Sequence, residues 1–106
     1  MSTRPVAPVT PDALRLREAL ARSSALAALQ LRMRASNDRF EAIRSSLPPT
    51  LAAHVRPGPL DAESWSLLAA NPAVAAKLRQ LQPRLDAVLA DAGWPVLALR
   101  IKVHAA

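Results

Sequence analysis

Cysteine and tyrosine are absent from this sequence, and glycine, histidine and aromatic residues are scarce. Without cysteine there is no disulfide and no thiolate metal site, which is compatible with a reducing compartment. The two glycines, Gly58 and Gly93, leave no material for a phosphate-cradling glycine loop. Phe40, Trp65 and Trp94 are the only aromatic residues, so the core must be aliphatic and a stacking platform for single strands would be thin. No apolar run approaches the ~20 residues of a membrane span. The start MSTRPVAPVTP has no apolar stretch of signal-peptide type. The expectation is a soluble, cytoplasmic protein.

Catalytic chemistry is equally thin. His54 and His104 are the only histidines, and neither has a carboxylate at helical ligand spacing. A metal site would need carboxylates brought together by folding. Serines 23, 24, 45, 46, 64 and 66 sit in no nucleophile context such as a G-x-S-x-G elbow. Asp61 and Glu63 fall in an expected turn, where solvation explains them better than acid–base work. No enzyme activity, no cofactor, no metal and no small-molecule substrate are expected.

What the sequence does have is positive charge. Its 106 residues hold 14 Lys and Arg against 8 Asp and Glu, a formal +6, and 12 of the 14 are arginine. Such a field favours polyanions. An alanine- and arginine-rich composition also produces such a charge with no ligand at all. Hydrophobic residues make up 51%, much of it alanine. A chain of this length builds one domain around one modest core.

Residues 1–9 carry Pro5 and Pro8 and no periodicity, and read as a flexible lead-in to a single domain over 10–104. A helical region is expected over 10–47. Thr10 caps it, Pro11 suits its first position and Asp12 complements its dipole. Leu26, Leu29, Met33, Phe40, Ile43 and Leu47 keep helical spacing across Ser36-Asn37-Asp38. The region is therefore one long helix or two in phase, with a break conceivable at Ser23-Ser24 and a capping-box pattern at Asp38 and Glu41. Pro48-Pro49 ends it. Arg32, Arg34 and Arg39 lie off the stripe and are expected in solvent.

A first strand is expected over 53–60, limited by Pro57-Gly58-Pro59 to an edge, a bulge or a bent end. Asp61, Ala62 and Glu63 turn the chain into a second strand, Ser64 to Ala70, with Trp65, Leu67 and Ala69 on one face. Asn71 caps the next helix and Pro72 opens it. Val74, Leu78, Leu81, Leu85, Val88 and Leu89 form its apolar stripe. Pro83 inside it predicts a kink or a split, and Gly93 stops it. In the last strand Leu97, Leu99, Ile101 and Val103 point one way. Val96, Ala98, Arg100, Lys102 and His104 point the other.

The fold class is thus α+β: N-terminal helices, then β-β-α-β with a three-stranded sheet and one open face. Lys77, Arg79 and Arg84 flank the stripe of the last helix. Arg56, Arg100 and Lys102 are candidates for the open sheet face. Cations on adjoining elements neutralise several phosphates and give salt-sensitive, sequence-independent binding. These six are the candidate nucleic-acid-binding residues. Trp65 is expected as core rather than base stacker, and Trp94 as a cover for the helix end.

AAHVRPGPLD, a strand ending in LLAAN, AAKLRQLQPRL and a closing GW…LRIKV resemble the DciA-like family, the Dna[CI] antecedent family. The resemblance covers roughly residues 40–103 and, more weakly, the upstream helix. It implies a KH-like fold and a bacterial replication role without a catalytic site: binding DNA, single- or double-stranded, and helping to load the DnaB-type replicative helicase. Ile43 stands where many members carry tryptophan, and Pro48 where a glycine often follows. The GxxG clamp of KH domains is missing, so RNA gripping by that loop is not implied. Some members have a longer C-terminal tail than this sequence shows; if that tail engages the helicase, part of the function is expected to be missing here, the alternative being a divergent DNA-binding paralogue. Two alternatives remain: an RNA-binding module on KH-like architecture, and a protein-interaction or dimerisation module built on the leucine- and alanine-rich N-terminal helix.

Overall fold

The structure, a computed structural model, describes residues 10–104. Two compact units divide the chain, Met1–Gln30 and Leu31–Ala106.

One helix, α1, spans Pro11–Arg44. The Thr10 hydroxyl accepts the N–H of Ala13 at 3.1 Å, the cap expected from the Thr-Pro-Asp start. No break occurs at Ser23-Ser24, and Asp38 and Glu41 sit inside the helix rather than at a cap. Of the two arrangements open for this region, the chain adopts the single helix. Within the first unit, Leu14, Leu16, Leu20, Leu26 and Leu29 are all exposed.

The second unit carries the sheet. After α1 a four-residue helix, α2 (Pro49–Ala52), leads into β1 (Val55–Leu60). The expected first strand is therefore two residues shorter at its start. β2 is Ser64–Ala69, α3 is Pro72–Asp91 and β3 is Ala98–Val103. The sheet order is β1-β2-β3, with β1 antiparallel and β3 parallel to β2. α3 is the crossover that a parallel pair requires.

Asn71 caps α3 by accepting the N–H of Val74 at 2.9 Å, with Pro72 in the first turn. The split expected as one outcome at Pro83 does not occur, because α3 runs unbroken to Asp91. Leu78 and Leu85, one on each side of the proline, are fully buried and hold both halves of the helix on one core. At the other end Gly93 has φ +82°. Its N–H reaches Ala90 O at 3.0 Å and that of Trp94 reaches Leu89 O at 3.0 Å. This paired closure of the last carbonyls needs a left-handed residue, and glycine adopts it without strain.

The core is aliphatic around one tryptophan. Trp65, Leu67 and Ala69 from β2 meet Val74, Ala75, Leu78, Leu85 and Leu89 from α3, Phe40 and Ile43 from α1, and Leu99 from β3. Each fully buried large side chain contributes about 1.5–3 kcal/mol relative to exposure. The Trp65 indole N–H donates to Ser36 Oγ at 2.9 Å, and Ser36 Oγ donates to Gly58 O at 2.7 Å. That relay joins the helix, the bulged end of β1 and the central strand.

Both outer strands are partly tied off. In β1 the carbonyl of Gly58 is taken by Ser36, and Pro57 and Pro59 offer no N–H. On β3, Gln82 of α3 donates its side-chain amide to Leu99 O at 3.0 Å.

Candidate nucleic-acid interface

Strand register decides which side chains share a face. Arg56 stands opposite Leu68, and Leu68 opposite Lys102, so these three form one cross-strand row. Arg100 stands opposite Ser66 in the next row. The core residues Trp65, Leu67, Ala69 and Leu99 alternate with them and occupy the other face. Arg56, Arg100 and Lys102 are all exposed. The basic row expected on the open face is therefore there, on the side of the sheet away from the core.

Lys77, Arg79 and Arg84 are also exposed. They lie on α3, however, whose buried stripe packs on the closed face of the sheet. The six candidates thus fall into two groups of three, on opposite sides of the sheet.

One arginine departs from expectation. The apolar stripe of α1 puts Arg39 in solvent, but its exposure is 4%. It follows Ser36 by three positions and precedes Ile43 by four, so it shares the buried face of the helix. Its Nη2 donates to Pro95 O at 2.8 Å, and its guanidinium lies 5.3 Å from the centre of the Trp94 ring. Burial lowers its pKa from the ordinary value. Arg39 fixes the loop after α3, whereas Arg32 and Arg34 are exposed, as expected. Trp94 lies half-buried against the core at the helix end, and Trp65 is a core residue, both as expected.

The turn between β1 and β2 brings negative charge to one end of the sheet. Asp61 Oδ1 accepts the N–H of Glu63 at 2.8 Å and that of Ser64 at 2.7 Å. Those two bonds hold the Asp61 carboxyl below the usual carboxylate range against an opposing desolvation, with smaller help from the Ser64 hydroxyl and the charge of Arg100. Arg100 therefore feels a nearby anion, whereas the Arg56–Lys102 row lies farther along the sheet, toward His54.

Two hollows mark the second unit. One, of about 210 Å³, is lined by Ala53, His54, Arg56, Leu68, Ala70 and His104 on the open face. The other, of about 250 Å³, lies by Arg39, Asp86, Trp94 and Val96. Desolvation there raises the pKa of Asp86. Among the described residues no three His, Asp or Glu side chains gather as a metal site, and no helix is long and apolar enough to cross a membrane. The sequence puts His104 on the basic side of the last strand and gives no link to His54; the strand register brings the two to one hollow.

The family model described as Dna[CI] antecedent, DciA, matches residues 15–101. No curated protein matches the chain.

Proposed function

The chain belongs to the DciA family, and from that membership we propose that it is a non-enzymatic DNA-binding accessory of bacterial replication. The family is associated with loading of the DnaB-type helicase. In the proposed role the open face of the sheet meets the sugar–phosphate backbone while the helicase is the protein partner. The observation that carries the DNA reading is the shared placement of Arg56, Arg100 and Lys102 on one uncovered face. Cations at strand spacing meet successive phosphates without reading bases, so binding is sequence-tolerant and salt-sensitive.

The test is binding to labelled single- and double-stranded DNA across a salt series. Steep salt dependence supports the reading, and charge reversal at Arg100 and Lys102 should then weaken affinity with the fold intact. Unchanged affinity on reversal would remove the sheet face from the interface. Competition with RNA of matched sequence separates DNA from RNA recognition.

A second reading, protein interaction through α1, draws on the exposed leucines Leu14, Leu16, Leu20, Leu26 and Leu29. A strict monomer mass at high concentration would count against self-association through that helix.

A further inference from the structure

The hollow on the open face follows from the heights of its side chains. His54 O accepts the N–H of Ala70 at 3.0 Å, and the N–H of His104 donates to Ala69 O at 2.8 Å. His54, Ala70 and His104 therefore lie across three adjacent strand positions, beside the row Arg56, Leu68, Lys102. In both rows the central strand carries the short or apolar residue, and the two outer strands carry long, exposed nitrogen-bearing ones. The result is a trough. Its floor is Leu68 and Ala70, and its banks are two strands about 9–10 Å apart, twice the normal strand spacing.

We propose that this trough is a phosphate subsite. Among the described residues its lining holds a guanidinium and two imidazoles and no carboxylate. Lys102 adds an ammonium in the row of Arg56. Guanidinium and ammonium groups are donors only, and each imidazole has an N–H to offer. Donors from both banks converge on one oxyanion, and charge-assisted bonds of this type are the strong ones. A volume of about 210 Å³ is below the roughly 300–1,000 Å³ of pockets for drug-sized ligands. It suits one phosphate with part of its sugar. The acidic turn at Asp61 and Glu63 lies past Arg100, at the other end of the β1–β2 hairpin. A strand crossing the open face would therefore be seated at the His54–His104 end. That source of the phosphate rests on the DNA-binding reading; the subsite itself does not.

The chain's two histidines are both in the trough, so their ring signals report on it directly. The full-length protein is titrated with inorganic phosphate at constant ionic strength in chloride while the two imidazole rings are followed by NMR. The expected result is a saturable shift of both rings that chloride does not reproduce. Oligothymidylate should move the same signals. His54→Ala with His104→Ala, checked for fold by circular dichroism, should weaken oligothymidylate binding about tenfold, the order of one lost hydrogen bond to a charged group. Rings that respond to phosphate no more than to chloride overturn the subsite. If the oligonucleotide binds while the rings stay still, the trough is not used, and the DNA reading survives without it. If phosphate moves the rings and no oligonucleotide binds, the subsite stands and the DNA reading fails.

Discussion

Trp65 donates its indole N–H to Ser36 Oγ at 2.9 Å, in a buried polar relay that ties helix α1 to the sheet. The serine hydroxyl passes the bond on to Gly58 O. A tryptophan with 1% exposure is thus satisfied by a residue 29 positions away. Ser36→Ala removes the acceptor of one bond and the donor of another. The expected loss is about 1–3 kcal/mol of unfolding free energy, read as a lower urea midpoint with unchanged slope. A midpoint equal to wild type would mean that water replaces the hydroxyl.

Gly58 has little room for a side chain. A Cβ there would stand 3.0 Å from Leu68 Cγ and 3.0 Å from Ser66 O. Gly58→Ala must push Leu68 aside, at a cost of about 1–3 kcal/mol. Because Leu68 floors the trough, the same substitution should disturb the ring signals of His54 and His104. Gly93→Ala meets no atoms but must hold a left-handed backbone, so about 1 kcal/mol is expected, with those rings unaffected. Thermal or urea unfolding of both variants checks the pair.

The split of the six cations gives a comparative prediction. Neutralising Arg56, Arg100 and Lys102 together should flatten the salt dependence of single-strand binding by roughly two units of log–log slope, at about 0.7 per phosphate. Neutralising Lys77, Arg79 and Arg84 should leave the slope near wild type. The opposite pattern would move the interface to α3.

Asp61 sets an acid-side prediction. Its folded pKa lies below its unfolded value, held there first by the N–H of Glu63 and then by that of Ser64. The stability it contributes is fully present above the unfolded value and is lost as pH falls through the folded one. On acidification below the ordinary aspartate range, the urea midpoint of the wild type should fall more steeply than that of Asp61→Asn. Parallel curves would show that the turn bonds do not discriminate the ionised form.

Much of this architecture is legible in the order of the residues. Steps of three and four between Asn71-Pro72 and Gly93 define α3, and strict alternation defines β3. The basic open-face row follows directly from that alternation. Other features carry no local signal. α2 is a single turn and has no period. The charge of Arg39 argues for solvent, although its spacing from Ser36 and Ile43 puts it on the buried face; the partners that accept it, Pro95 O and Trp94, are far along the chain. The meeting of His54 and His104 depends on the register of β1 and β3 across β2, which no single segment encodes.

The ties on the outer strands bear on how this protein behaves when crowded. A β-strand with unused backbone groups invites the matching strand of a neighbour, the first step toward fibrils. Here Ser36 already occupies Gly58 O, two prolines withhold their donors, and Gln82 already occupies Leu99 O. A visiting strand at either edge would meet a carbonyl that already accepts a side-chain hydrogen bond. The same two helices that cover the closed face thereby also guard the rims of the sheet.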